Sequence, residues 1–243
     1  MRRLATFTFG TLSYGVFIAS FGYGIFFVEN LWVPRTIDAG GPVAPASIAA
    51  IIDTGLIALF GLHHSVAARA GFKNAIPPAI ERNVYVLLAS LFLDLVFWQW
   101  RPIPTVLWSL DGIAALILSA MSWLGWGLAL AASFAINHWD LFGLRHAVLA
   151  LLGRPYEPVP FRTPMLYRLV RHPLMLGLLL AFWAAPTMTV GHLLFAAAMS
   201  VYILIGVALE ERDTIRFFGE SYREYQKRVP SLLPFPRSGS RYG

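Results

Sequence analysis

Cysteine is absent from the 243 residues. That excludes a disulfide framework, a cysteine-based zinc site and a thiol nucleophile carried by the chain itself. Charge is scarce too. Asp, Glu, Lys and Arg make up 13% of the residues, against about 25% in soluble globular proteins. There is no internal repeat and no low-complexity tract. Among the six histidines no pair is spaced i, i+4 and no HExxH occurs, so the usual helical metal spacing is missing. His63 and His64 are neighbours and cannot face the same way.

What fills the chain is apolar. Hydrophobic residues account for 57%, and a spanning helix needs about 20 of them in a run. Such runs occupy residues 5–28, 47–66, 84–100 and 112–136. Two more, 174–185 and 193–209, are separated by a turn at 187–191. The first run follows Arg2 and Arg3 and exceeds the roughly 7–15-residue core of a secretory signal, so it reads as an uncleaved span. The run at 174–185 would reach only about 18 Å at 1.5 Å per residue. It must continue upstream through 166–170 or lie tilted and shielded.

The expectation is an all-α polytopic membrane protein with six transmembrane helices in one domain, 1–243. Residues 1–136 hold four spans, 137–170 form a cytoplasmic insertion, and 171–243 form a helical hairpin and tail. The net charge of +6 reads as topology rather than nucleic-acid binding. With the N-terminus in the cytoplasm, 17 of the 19 Lys and Arg fall on the cytoplasmic side and only Arg35 and Arg101 outside. That asymmetry places both termini in the cytoplasm.

Within the insertion, Leu141, Leu144, Val148, Leu151 and Leu152 share one helical face. Asp140 stands at the N-cap position and Gly153-Arg154-Pro155 ends the helix. An interfacial helix is expected, followed by an irregular loop through the prolines of 155–164. After Glu210 a second cytoplasmic helix is expected. Its Phe218, Tyr222 and Tyr225 share a face that can close over the membrane surface, and Val229-Pro230 stops it.

A short turn makes the two arms of the hairpin antiparallel. Arg171 and His172 therefore meet Glu210, Glu211 and Arg212 at its open end, where an apolar hairpin suddenly carries charge. The sequence there reads RHPLMLG, then EERD, then FGESYREYQKRVP. These motifs resemble the membrane-embedded methyltransferases typified by isoprenylcysteine carboxyl methyltransferase. FWQWRPIP, INHWDLFGLRH, PFRTP and FWAAPTMTVGHLLFA are similar to the bacterial methanethiol S-methyltransferase branch, so the resemblance spans most of the chain. NnrU-type membrane proteins share parts of the pattern. The resemblance implies an S-adenosylmethionine-dependent methyltransferase of the bacterial inner membrane, with methanethiol as acceptor and dimethyl sulfide as product. The alternatives are a larger lipid-like thiol or carboxylate as acceptor, or a non-enzymatic NnrU-like accessory protein that binds haem.

In that light Arg171 can bind the donor's carboxylate bidentately, and Glu210 or Glu211 can accept from its ammonium. The two Glu lie about 100° apart on a helix, so one points inward. The resemblance assigns both to the cofactor site. His172 can reach ribose or carboxylate, Pro173 starts the helix, and Gly177 permits close approach. Tyr167, Tyr222 and Tyr225 can enclose the adenosine half. The superfamily has Tyr where this chain has Met175. A thiolate is the nucleophile of thiol methylation, so the acceptor calls for a base or a cation. His64, His138, Asp140 and Arg145 are the expected catalytic groups, with Asn137 and His146 beside them. His138 can equally cap a helix end, and Arg145 can snorkel to lipid headgroups.

Overall fold

The computed structural model describes residues 1–157 and 162–234. Part of the proline-rich loop expected at 155–164, and the basic residues Arg237 and Arg241, lie outside the described residues. The helices are α1 (Arg2–Val28), α2 (Ala46–Ala67), the single turn α3 (Ala70–Lys73) and α4 (Glu81–Gln99). A short strand β1 (Val106–Ser109) leads into α5 (Gly112–Ile136), α6 (His138–Leu141) and α7 (Leu144–Leu152). A 3-10 turn, Met165–Arg168, precedes α8 (Pro173–Trp183), β2 (Thr187–Thr189), α9 (Val190–Phe218) and α10 (Glu220–Arg228).

Among the described residues four helices, α1, α2, α5 and α9, are long and apolar enough to cross a membrane. The protein is thus an all-helical, membrane-spanning bundle apart from two short strands. Helix α4 has 19 residues but carries Glu81, Arg82 and Asp94. Asp94 is satisfied inside the bundle by the Ser20 hydroxyl of α1, at 2.9 Å. Helix α8 has only 11 residues, as its short apolar run implies. It does not extend upstream as a helix beyond Pro173. The residues expected to be a plain turn at 187–191 instead begin with β2, which pairs antiparallel with β1. That pairing spends backbone polar groups that a broken helix would leave unpaired.

Packing follows from small residues. On α5 the buried positions are Ser122, Gly125, Trp126, Ala129, Ala132 and Ser133, one stripe at helical spacing. Gly125 and Ala129 meet Gly177 and Ala181 of α8. A Cβ on Gly177 would sit 2.6 Å from the Ala129 nitrogen and 2.6 Å from the Gly125 carbonyl. The two backbones therefore touch, as small-xxx-small helix pairs do in membranes. This explains how an 11-residue helix is held: α5 shields it along its length. The remaining order is α8 on α9, α9 on α2, α2 on α4, and α4 on α1. Phe27, Phe97, Trp100, Trp126, Phe182 and Phe195 form the aromatic core. Leu62, Leu116, Leu124, Val201 and Ile205 face outward, as lipid contact demands.

Two expected helices are each split by glycine. Gly143 (φ 84°) separates α6 from α7. Asp140 therefore is not an N-cap; it lies inside α6, and the Asn137 side chain caps it by accepting from the Asp140 amide. The α7 face holding Val148, Leu151 and Leu152 is exposed. The hairpin's second arm runs unbroken through Glu210 to Phe218, and Gly219 (φ 59°) then turns the chain into α10. Phe218 and Tyr222 thus sit on different helices, yet they still pack together with Tyr225, Ile215 and Val229.

Candidate active site

The start of α8 and the charged turn of α9 meet, as the hairpin requires. Arg171 is buried, its side chain 4% exposed. Its Nε donates to Glu211 Oε1 at 2.8 Å, and a terminal nitrogen reaches the same oxygen at 2.7 Å. Its other terminal nitrogen donates to the carbonyls of Gln226 (3.2 Å) and Val229 (2.5 Å). His172 Nε2 lies 3.0 Å from Glu211 Oε1. Gln226 Nε2 donates to Glu211 Oε2 at 2.9 Å, and the Ser231 hydroxyl to Oε1 at 3.3 Å. The Arg171 and His172 amides donate to the carbonyls of Pro230 and Ser231. One carboxylate, Glu211, thus clamps the hairpin to the tail.

Glu210 is placed differently. Its side chain is 57% exposed, and its nearest cationic partner is His172 Nδ1 at 3.8 Å. The hydroxyls of Tyr85, Tyr167, Tyr202 and Tyr222 lie within electrostatic reach of its carboxylate. Adjacent glutamates on one helix have therefore divided: Glu211 faces Arg171, and Glu210 is exposed. Asp213, one turn on, pairs outward with Arg69, between α2 and α3, at 2.7 Å.

Tyr167, Tyr222 and Tyr225 are all buried. Tyr225 donates to the Tyr167 carbonyl, and Tyr167 to the Ala132 carbonyl of α5. Burial pushes the Tyr225 phenol up to about 12 and raises those of Tyr167 and Tyr222, so all three remain donors at neutral pH. Beside this cluster a cleft of about 410 Å³ is lined by Arg171, Glu211, Ile215, Arg223, Gln226 and Lys227. Another cavity, of about 220 Å³, includes Glu29 and His192 and lies at the opposite end of the hairpin.

The expected catalytic groups fall into two places. His64 joins α2 to α4, its Nε2 2.5 Å from the Tyr85 hydroxyl. Phe60 and Tyr202 flank the ring at 5.7 and 6.0 Å. Its Nδ1 is buried with no hydrogen-bond partner among the described residues. The second place is the α6–α7 corner. Arg145 pairs with Asp140 at 3.0 Å, Tyr156 donates to Asp140 at 3.1 Å, and the His146 ring stacks on Tyr156. His138 is 3% exposed. One ring nitrogen is 2.9 Å from the Tyr14 hydroxyl and the other 2.9 Å from the Ser133 hydroxyl, so both are engaged. Tyr85, Tyr202, Gln226 and Ser231 escaped the sequence reading. The tyrosines look like ordinary span aromatics, and no local signal marks Gln226 or Ser231.

Burial lowers the pKa of His138; it also lowers that of His146, where the neighbouring Asp140 works the other way. The unfolded chain, with histidines near 6.5, then binds protons first as pH falls. Stability from these groups is full above about pH 6.5 and declines as pH drops toward the folded values. Thermal denaturation between pH 7.5 and 5 should show that decline, and His138→Gln should flatten it. Parallel curves for variant and wild type would contradict the assignment.

No protein-family model matches the chain, and no solved structure matches it. It is 50% identical over 236 residues to methanethiol S-methyltransferase 2 of Bradyrhizobium diazoefficiens, covering 96% of this chain and 91% of the relative. It is 47% identical over 241 residues to methanethiol S-methyltransferase of Mycobacterium tuberculosis, covering 97% and 98%. Methanethiol S-methyltransferase 1 of B. diazoefficiens is 48% identical over 241 residues, covering 97% and 84%. With identity at this level along nearly its whole length, the chain belongs to the methanethiol S-methyltransferase family.

Proposed function

We propose that the protein methylates methanethiol to dimethyl sulfide with S-adenosylmethionine, at the cytoplasmic end of the hairpin. The similarity to methanethiol S-methyltransferases over nearly the full chain carries this reading. The residues present fit the donor. Glu210 is an accessible carboxylate with no close ion pair, suited to an ammonium. The cleft lined by Arg171 and Glu211 offers Arg223 and Lys227, exposed side chains that also lie 3.5 and 3.6 Å from Glu220, to a carboxylate. Arg171, largely spent on Glu211 and two carbonyls, positions the tail and keeps its remaining N–H for a ligand. Tyr167 and Tyr222 border the adenosine side, and Pro173 and Gly177 set the close approach of α8. Bound S-adenosylmethionine supplies an electrophilic methyl carbon. The chain's part is to orient the two sulfurs in line, exclude water and take up the thiol's proton. We assign proton uptake to the His64 side. His138, Asp140 and Arg145 hold the α6–α7 corner in shape.

We further propose six crossings of a bacterial inner membrane with both termini in the cytoplasm. The 17-to-2 distribution of basic residues supports this, with α4 and the α5-shielded α8 as the two crossings beyond the four long apolar helices. A phosphatase or fluorescent reporter fused after Gly243 should report cytoplasmic. A periplasmic readout would break the arrangement.

The direct assay is headspace dimethyl sulfide from purified protein supplied with methanethiol and S-adenosylmethionine. Product formation without a haem absorption band supports the enzyme. A haem band with no methyl transfer to any thiol would favour the accessory-protein alternative.

A further inference from the structure

Resting on that reading, we infer that the acceptor thiol docks in an aromatic box formed by Phe60 and His64 of α2, Tyr85 of α4 and Tyr202 of α9. Its sulfur lies between the Tyr85 and Tyr202 hydroxyls and its alkyl group against Phe60.

Several independent observations mark the box. The rings surround His64: Tyr85 is centred 4.9 Å away, Phe60 5.7 Å and Tyr202 6.0 Å, with Phe60 and Tyr202 5.3 Å apart. The Tyr202 hydroxyl has no hydrogen-bond partner among the described residues, whereas Tyr85 is committed to His64. Both hydroxyls lie within electrostatic reach of the accessible Glu210 carboxylate. Tyr202 precedes Glu210 by about two helical turns, which sets the box deeper in the bilayer than the donor's polar groups. An apolar volatile thiol reaches that depth through lipid. Sulfur also packs well against aromatic edges.

The hydroxyls supply what the chemistry lacks. With the His64 proton on Nδ1, Tyr85 donates to Nε2 and presents its oxygen lone pairs to an S–H. Tyr202 has a hydroxyl proton free to stabilise the sulfur as it becomes anionic. In the step, the thiol's S–H bond breaks and its proton moves to the Tyr85 oxygen as the Tyr85 proton moves to His64 Nε2. The freed sulfur pair forms the new S–C bond to the transferred methyl. The old C–S bonding pair stays on the donor's sulfur, which loses its positive charge. The proton on His64 returns to water through Tyr85 after product leaves.

Gly61 fixes the size of the box. A Cβ there would sit 2.8 Å from Cδ2 of Tyr202, so the Tyr202 ring leans directly on the α2 backbone. A side chain at 61 therefore requires the Tyr202 ring to shift.

The experiment compares kcat/KM for methanethiol, ethanethiol and 1-propanethiol, with S-adenosylhomocysteine affinity by calorimetry on the same preparations. Tyr202→Ala should raise the propanethiol-to-methanethiol ratio at least tenfold. Gly61→Ala should lower the ethanethiol-to-methanethiol ratio. Tyr202→Phe should lower kcat for methanethiol with selectivity retained, and all three should bind S-adenosylhomocysteine within about threefold of wild type. If Tyr202→Ala loses ligand binding through misfolding, Gly61→Ala and Tyr202→Phe still decide. Unchanged selectivity in the size variants, with donor affinity intact, would overturn the box and leave the proposed function standing. No methyl transfer to any thiol by wild type would overturn both.

Discussion

Arg171→Ala should destabilise the protein by about 3–5 kcal/mol, the usual result of removing one partner of a buried ion pair. The guanidinium holds Glu211 through two of its nitrogens, and it also serves the carbonyls of Gln226 and Val229. Its loss leaves a half-buried carboxylate dependent on His172, Gln226 and Ser231, and strips both carbonyls of that donor. The tail should then detach. Hydrogen exchange across residues 220–231 should speed up well beyond the change elsewhere, and the detergent-unfolding midpoint should fall. Arg171→Lys should recover only part, because one ammonium cannot match the planar fork that spans three acceptors. A variant as stable as wild type with a protected tail would show that α10 is held by its tyrosines alone.

Glu210→Gln should do the opposite: little change in stability and a large loss of donor affinity. The side chain is accessible and makes no ion pair closer than 3.8 Å, so neutralising it leaves no buried charge behind. A charge-assisted bond to an ammonium contributes about 1.5–3 kcal/mol, which predicts a weakening of S-adenosylhomocysteine binding of roughly ten- to a hundredfold. Calorimetry on the two single variants separates the glutamates. Glu211→Gln should act mainly on stability through Arg171, Glu210→Gln mainly on affinity. Wild-type affinity in Glu210→Gln would move the ammonium elsewhere.

The division between these neighbours marks where sequence reasoning ends. Apolar length located α1, α2 and α5 almost to the residue, and the short turn at 187 was enough to bring Arg171 back to the EERD segment. Nothing in EERD says which Glu faces in. That depends on the rotational phase of α9, set by distant packing of Phe195, Met199, Ile203 and Val207. The same holds for His138, whose partner Tyr14 lies 124 residues away. Periodicity carried α7's apolar face correctly, but not the helix break at Gly143, because a glycine inside a helical pattern is compatible with either outcome. The β1–β2 pairing was invisible because strands of three and four residues have no period to read. Tyr85 and Tyr202 were hidden for a related reason. An aromatic in a span reads as packing until its neighbours on other helices are known.

The most direct measurement of the central claim is the fate of a labelled methyl group. Purified protein in lipid nanodiscs is supplied with methanethiol and S-adenosylmethionine bearing a deuterated methyl group, and the headspace is analysed by mass spectrometry. The account predicts dimethyl sulfide carrying one deuterated methyl, formed by wild type and greatly reduced in Glu210→Gln at limiting donor. Unlabelled dimethyl sulfide, or none while the protein binds S-adenosylhomocysteine normally, would contradict it.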